Sequence, residues 1–299
     1  MAEILTTFSN LVTVTFVVTS MLIVGLGLTL FEMTQPLRNT WLVILALVAN
    51  FVVVPAIALA IVHVASLEAD DEIGLVLLGV AAGAPFLPKL AQIARTDVPL
   101  AVGVMAMLIL ASVLVLPIAL PLLLPGIRVE GARIALSLLL TILVPLGLGL
   151  FARWQWPTKA HMLTPALTTV SNISLVLLMV LLLGLNVGKV LAMFGSGAIL
   201  AIVGLTVAAT AAGYMLGGPH RETRRVLAFG TGQRNVAATF IIANANFADR
   251  PQVLVLLAAA SVISLLLVMP IAVMFGKQAD VAASSAGDGP QSSSRSSTG

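Results

Sequence analysis

The chain has 299 residues, of which 60% are hydrophobic and only 9% are charged, and its mean hydropathy is +1.13. This composition excludes a soluble globular domain and predicts an all-α polytopic membrane protein with the lipid bilayer as its surroundings. The net charge of +3 is carried by few residues and gives no reason to expect a nucleic-acid partner. Cysteine is absent, so neither a disulfide framework nor a thiolate metal site can form.

Apolar runs separated by polar, proline or glycine breaks predict about nine transmembrane segments in a domain covering 1–278. We expect the first segment to be a retained helix, because the N-terminus has no basic region or cleavage site of a signal peptide. Residues 279–299 are rich in Ser, Gly and Ala and predict a disordered C-terminal tail. The segments are roughly 8–31, 40–65, 72–95, 98–124, 132–152, 166–187, 194–217, 224–247 and 251–275.

Basic residues are distributed unevenly between the two sides of these segments. The positive-inside rule makes the side with more of them cytoplasmic. This predicts a multi-pass protein of the cell (inner) membrane with its N-terminus outside and its C-terminus in the cytoplasm. The cytoplasmic set is Arg38, Arg95, Arg153, Lys159, Arg221, Arg224, Arg225 and Lys277, and the outer set is Arg128, Arg133, Lys189 and Arg250.

The third and eighth segments are both interrupted. Residues 83–89 place a glycine, two prolines and a lysine inside an apolar run, and residues 229–235 place two glycines and an arginine inside another. Interior proline removes a helix hydrogen bond, and irregular backbone at membrane depth is tolerated only where protein or a wet cavity satisfies it. We therefore predict a structural crossover of two broken helices, formed by Gly83, Pro85, Pro88, Gly230 and Gly232.

An internal repeat relates the two broken segments. Asp97 and Asp249 lie 152 residues apart, each opens an Asp-x-Pro sequence after a broken segment, and Pro117 and Pro270 lie 153 residues apart. An odd number of segments separates the copies, so the repeats, about 8–124 and 132–275, should be inverted in the membrane. Paired broken helices in inverted repeats indicate the binding site of a secondary transporter.

Arg234 is the residue that an ordinary membrane helix explains least. A charge near the centre of a span costs roughly 2.5–3.5 kcal/mol on insertion scales, so it normally faces a partner or a watery cavity, although snorkelling to the interface is the alternative. We predict a site for a small organic anion in which Arg234 supplies charge. Lys89 either joins it or snorkels toward the cytoplasm. The predicted substrate-binding residues are Arg234, Asn235, Gln233, Thr231, Asn50 and Lys89.

A second polar cluster lies in the sixth segment, at Ser171, Asn172 and Ser174, where packing is as reasonable an interpretation as binding. The segments contain no Ser/His, paired Asp or HExxH arrangement, and the three histidines share no metal-ligand spacing. The sequence therefore predicts no catalytic residue, no metal site and no cofactor.

Four stretches in register resemble the bile acid:sodium symporter family. They are MLIVGLGLTL at 21–30, NFVVVP at 50–55, ARTDV at 94–98 and GQRN at 232–235, and the likeness runs from about residue 10 to 278. The resemblance implies a panel domain and a core domain, with two broken helices crossing near the substrate. It also implies a divergent, bacterial-type member that lacks the first of ten helices.

Most sodium ligands of the sodium-dependent relatives have no counterpart here. Their Ser-Asn pair aligns on Leu87 and Pro88, a glutamate aligns on Gly230, and a later glutamine aligns on Arg234. Asn50 occupies the position of a glutamine that helps to bind sodium, but one amide is a poor site for a hard cation that prefers several oxygens. The hydroxyl positions of the following segment fall near Met105, Ala106 and Leu108.

Three functions are consistent with these features. The first is sodium-independent export or exchange of an organic anion, with Lys89 and Arg234 as fixed cations in place of two mobile ones. The second is sodium-coupled symport, and the third is a non-transporting membrane sensor on the same fold. Sterols, keto acids and other carboxylates all remain as substrates, and the sequence indicates no particular oligomeric state.

Overall fold

A computed structural model describes residues 2–29, 31, 39–125, 127 and 130–287, and all regular structure within these ranges is helical. Twelve helices are distinguished here, counting a helix with an internal wide turn as one. They are α1 (Ala2–Gly27), α2 (Thr40–Ala65), α3 (Ala69–Val80), α4 (Leu87–Ile93), α5 (Val98–Leu123), α6 (Gly131–Gln155), α7 (Pro157–Gly184), α8 (Val187–Gly195), α9 (Ala198–Leu216), α10 (Arg221–Gly232), α11 (Val236–Asn246) and α12 (Pro251–Gly287).

Among the described residues, seven helices are long and apolar enough to cross a membrane: α1, α2, α5, α6, α7, α9 and α12. Each coincides with one predicted segment, which confirms an all-α polytopic membrane protein. The other two predicted segments are the pairs α3–α4 and α10–α11, whose members are each too short to span alone. The count of nine and the orientation of the termini stay predictions, and Arg38 and Arg128 lie outside the described residues.

The last helix is longer than predicted. It continues to Gly287, so residues 279–287 of the predicted tail are helical, while 288–299 lie outside the described residues. Lys277, Gln278, Ala279, Ala282 and Ala283 are good helix formers, and Asp280 in this stretch forms an exposed salt bridge with Arg95.

Both Asp-x-Pro sequences open helices, as predicted. The Asp97 carboxylate accepts a hydrogen bond from the Leu100 amide at 2.9 Å and caps α5, and α12 begins at Pro251. Proline in a first helical turn removes no hydrogen bond, because the amide there has no intrahelical partner.

Asn50 lies in a wide turn of α2. Residues Ala49–Val53 form a π turn in which the Val54 amide donates to the Ala49 carbonyl, and Pro55 follows directly. Single π turns often occur at functional sites. Pro55 has no amide hydrogen to donate, and the wide turn before it lets α2 continue without that hydrogen bond. Asn50 is fully buried within this turn.

The helices form two groups that match the expected panel and core domains. α1 packs along α6 and α7, and the remaining long helices pack around the two broken pairs. α1 and α6 touch at Gly25 and Gly149, where a β-carbon on Gly25 would lie 2.9 Å from the Gly149 α-carbon. Small residues of this kind let membrane helices approach at backbone distance.

Candidate functional site

The two helix breaks meet in the core. One break covers 81–86 between α3 and α4, and the other covers 233–235 between α10 and α11. The Asn235 amide donates to the Ala81 carbonyl at 3.0 Å, so the non-helical stretches are joined directly. This confirms the predicted crossing of two broken helices.

Two glycines are required at the crossing. Gly83 has φ +84°, and a β-carbon there would lie 2.5 Å from the Ile109 amide nitrogen. A β-carbon on Gly232 would lie 2.0 Å from the Thr210 hydroxyl oxygen. Gly230 has more room, since its nearest neighbour would be a Leu87 methyl group at 3.4 Å.

The two prolines of the first break have different roles. Pro85 lies within the break, as predicted. Pro88 does not interrupt a helix but occupies the first turn of α4, where its missing amide costs nothing.

Arg234 makes four hydrogen bonds at the crossing and only 4% of its surface is exposed. Its Nε donates to the Leu78 carbonyl at 2.8 Å, and one terminal nitrogen donates to the Gly79 carbonyl at 2.7 Å. The other terminal nitrogen donates to Asn50 Oδ1 at 2.8 Å and to the Thr231 carbonyl at 3.2 Å. One guanidinium therefore links α2, α3 and the end of α10.

The carbonyl partners of Arg234 belong to helix ends. Leu78 and Gly79 lie in the last turn of α3, and Thr231 lies in the last turn of α10. Terminal carbonyls lack intrahelical partners and carry the negative end of the helix dipole, so a cation stabilises both ends. Four of the five guanidinium N–H groups donate to these acceptors.

No carboxylate neutralises Arg234 within the described residues, where the salt bridges are Arg95–Asp280 and Arg250–Asp70. The crossing therefore keeps a net positive charge in a buried environment. Such a charge attracts an anion even without several direct hydrogen bonds, because screening is weak there.

Three other predicted residues support the framework of the crossing. Asn50 is held by Arg234 and donates to the Ala46 carbonyl at 3.0 Å. The Thr231 hydroxyl donates to the Ala209 carbonyl at 2.7 Å and joins α10 to α9. The Asn235 side chain caps α11 by accepting from the Ala238 amide at 3.1 Å. All three are fully buried.

Gln233 and Asn235 each carry a buried polar atom without a partner in the described part of the chain, Oε1 and Nδ2 respectively. Unsatisfied polar groups in a buried position are costly, and they concentrate at sites that bind water or a ligand. Gln233 also lines the large cavity beside the crossing, together with Arg234.

This cavity has a volume of about 400 Å³ and lies between the panel helices α1 and α7 and the core elements around the breaks. Its wall is mainly apolar with a few polar groups, which is the usual character of a small-molecule site. The wall is formed by Phe16, Ser20, Ala84, Pro85, Phe86, Ser171, Asn172, Leu175, Met179, Gln233, Arg234, Val236, Ala237, Ser261, Val262, Leu265 and Leu266.

The cavity brings in residues that the sequence reasoning missed. Ser20 on α1 and Ser261 on α12 line it, and Ser20 lies 2.8 Å from the Ser171 hydroxyl across the panel. Ser171 and Asn172 of the second polar cluster face the cavity, whereas Ser174 is buried but does not line it. A serine within an apolar helix could have indicated these positions in the sequence. Only the fold shows that the serines of different helices line the same cavity.

Lys89 is not brought together with Arg234. Its ammonium group is exposed and donates to Gln92 Oε1 at 2.9 Å, and it does not line the cavity. The inward face of α4 is formed by Leu87, Leu90 and Ala91, so Lys89 lies on the opposite side of the helix. This placement agrees with the alternative in which Lys89 points away from the site.

Three of the positions that the resemblance assigns to sodium ligands form an apolar cluster. A β-carbon on Gly230 would lie 3.4 Å from a Leu87 methyl group and 3.9 Å from a Leu108 methyl group. Leu87 and Leu108 are fully buried. These three positions provide no side-chain oxygen for a hard cation, whose ligands are oxygen atoms.

Comparisons with known proteins agree with this architecture. Residues 14–193 match the model of the Sodium Bile acid symporter family, a range that includes the first helix break and ends before the second. A rice (Oryza sativa subsp. japonica) protein named "Probable sodium/metabolite cotransporter BASS2, chloroplastic" is 27% identical over 237 residues, or 77% of this chain and 55% of that protein. The chain thus spans about half the length of this relative. Both names describe transport rather than catalysis, in agreement with the prediction that the chain is not an enzyme.

Proposed function

The chain belongs to the Sodium Bile acid symporter family, and from this we propose that it is a secondary transporter of a small organic anion that works without sodium. The observation that carries the proposal is the Arg234 guanidinium, which binds four oxygens of the crossing at 2.7–3.2 Å. A cation that would otherwise come from solution is here part of the chain.

Oxygen ligands for sodium are scarce around this crossing. The carbonyls of Leu78 and Gly79 and the amide oxygen of Asn50 are already bound to Arg234. Leu87, Leu108 and Gly230 supply no side-chain oxygen. A sodium ion near Arg234 would also meet a like charge in a region of weak screening. These features favour sodium independence.

The organic anion is supported by charge and by the shape of the cavity. Arg234 faces a space of about 400 Å³, and the neutral polar groups of Gln233, Asn172 and Ser261 lie on the same wall. The remaining wall is mainly apolar. We infer a substrate with one anionic group directed at Arg234 and an apolar body in contact with the panel helices.

An anion that crosses the membrane alone carries net negative charge. At about 2.3 kcal/mol per charge per 100 mV, an inside-negative potential drives it outward. Export, or exchange for another anion, is therefore favoured unless a second charge moves with the substrate.

Flux into proteoliposomes tests the proposal. The purified chain is reconstituted, and uptake of labelled cholate and labelled pyruvate, a sterol carboxylate and a keto acid, is measured in sodium buffer and in choline buffer. We expect equal initial rates in the two buffers for any anion that is carried. Loss of uptake in choline contradicts sodium independence, and binding without flux identifies the non-transporting sensor instead.

A further inference from the structure

A buried carboxylate lies at the end of α3 that is remote from the crossing. Asp71 is in the first turn of α3, and 1% of its surface is exposed. The other end of this 12-residue helix provides the Leu78 and Gly79 carbonyls that bind Arg234. A helix of this length is about 18 Å long and behaves as a short rod. Asp71 is therefore connected mechanically to the candidate binding site.

The hydrogen bonds of Asp71 are long and come from neutral groups. Gln252 Nε2 donates to Oδ1 at 3.1 Å, and the Ser196 hydroxyl donates to Oδ2 at 3.4 Å. Hydrogen bonds that stabilise an ionised carboxylate are typically about 2.7–2.9 Å. A carboxylate that is buried without a cation partner is costly in its charged form. The neutral acid suits this environment better.

The charged groups around Asp71 add to this preference. Glu68, Asp70 and Glu72 lie on the same turn of α3 or next to it. The positive start of α3 favours a carboxylate, but these four acids share that effect. Of the nearby cations, Arg250 before α12 binds Asp70 at 3.1 Å, and Lys189 on α8 borders the same cavity.

Titration of Asp71 follows from its surroundings. Burial is the main cause that raises the pKa of Asp71 above its ordinary value of 3.8. The bond from Gln252 lowers it, the charge of Glu68 raises it, and the bond from Ser196 and the charge of Asp70 have smaller opposite effects, so the pKa stays raised.

Water can deliver a proton to this carboxylate. A cavity of about 310 Å³ is bordered by Asp71 and by Glu68, which is exposed at its rim. We propose that Asp71 is a proton-binding site that is occupied in the described conformation and that links protonation at the start of α3 to the crossing at its end. The step adds one proton from the aqueous phase to Asp71 Oδ2, and the acid then donates to the Ser196 hydroxyl oxygen while Oδ1 still accepts from Gln252 Nε2.

The role in coupling rests on the proposed transport function. Loss of the proton leaves a charge that is drawn toward the water of the cavity, and this displaces the start of α3. The Leu78 and Gly79 carbonyls belong to the same helix, so their contacts with Arg234 change with it. If one proton accompanies each anion, the pair carries no net charge and the membrane potential no longer opposes uptake.

The proton site is tested without a substrate. The Tm of the detergent-purified chain is measured against pH for the wild type, for Asp71→Asn and for Glu72→Gln, a control on the same helical turn. Because the pKa is raised on folding, the folded state holds the proton more tightly than the unfolded state, and stability falls as the pH rises above 3.8. We expect this fall to be clearly smaller in Asp71→Asn than in the wild type and unchanged in Glu72→Gln. Parallel curves for the wild type and Asp71→Asn overturn the proposal.

Two further measurements keep the test decisive. In Gln252→Lys a cation is placed beside Asp71, so the carbonyl stretching band of the protonated acid in infrared difference spectra should titrate at lower pH than in the wild type. An unchanged titration overturns the site even if Asp71→Asn does not fold. The pH dependence of cholate and pyruvate flux tests coupling separately: a confirmed titration without flux of either anion counts against the transport of these anions and leaves the proton site standing.

Discussion

Replacement of Arg234 by lysine separates its charge from its geometry. Lysine keeps the positive charge, but one ammonium group on a flexible stem cannot reproduce a planar fork that reaches four acceptors on three elements. If two of the four bonds are lost at about 1.5 kcal/mol each, the assembled crossing is destabilised by about 3 kcal/mol. This corresponds to roughly a 100-fold smaller population of the assembled state relative to its alternatives.

The assay is the initial rate of anion flux per reconstituted molecule, together with the Tm in detergent. We expect Arg234→Lys to lose most of the flux and to have a lower Tm, and Arg234→Ala to lose all of the flux. Membrane insertion of Arg234→Ala should not fall, because removal of the cation relieves an insertion cost of about 2.5–3.5 kcal/mol. Arg133→Lys, which changes an exposed arginine, is the control. Flux in Arg234→Lys above half of the wild-type rate would refute the cross-linking role.

Three further predictions concern charge, packing and topology. Asn50→Asp keeps the acceptor for Arg234 and neutralises the crossing, although it loses the donor to the Ala46 carbonyl. Anion affinity of the folded variant should fall at least tenfold, and equal affinity would show that net charge is unimportant. Gly149→Val places a β-carbon 2.5 Å from the Leu22 carbonyl oxygen and should destabilise the panel by about 1–3 kcal/mol. The control is Gly147→Val on the same helix, whose β-carbon meets open space. Equal Tm values for the two variants would contradict the close contact of α1 and α6. Because the chain has no native cysteine, an impermeant maleimide should label Ala2→Cys but not Gly299→Cys from outside intact cells, and labelling of both would change the predicted orientation.

The helix breaks and the need of Arg234 for buried partners could be predicted because their causes are local. Proline and glycine act on their own turn of helix, and the cost of a buried charge depends mainly on its depth in an apolar run. The end of α12 was predicted too early, since the Ser, Gly and Ala content of the tail was used as the signal although Ala also favours a helix, and α12 continues to Gly287.

The partners of Arg234 and the cavity wall could not be predicted in the same way. Three of its four acceptors are backbone carbonyls, and two of these lie 155 and 156 residues away in the chain. Backbone acceptors are present at every residue, so a sequence does not single them out. The inward or outward direction of Lys89 likewise depends on which face of a short helix packs against the core.

A fixed cation changes what the substrate has to do in a transport cycle. A bound ion from solution can leave and so loosen the crossing after the substrate is released, whereas Arg234 is part of the chain and cannot leave the crossing, where it binds the Leu78 and Gly79 carbonyls. If the chain is the proposed transporter, its outward-open and inward-open states therefore cannot differ by whether a cation occupies the position of Arg234. A ligand shifts a conformational equilibrium only through a difference in its interaction with the two states. That difference must come from the anion itself, through Arg234 and the panel wall, or from a titrating group at the far end of α3. Asp71 is the buried carboxylate in that position, which is why the pH dependence of flux distinguishes these two sources of coupling.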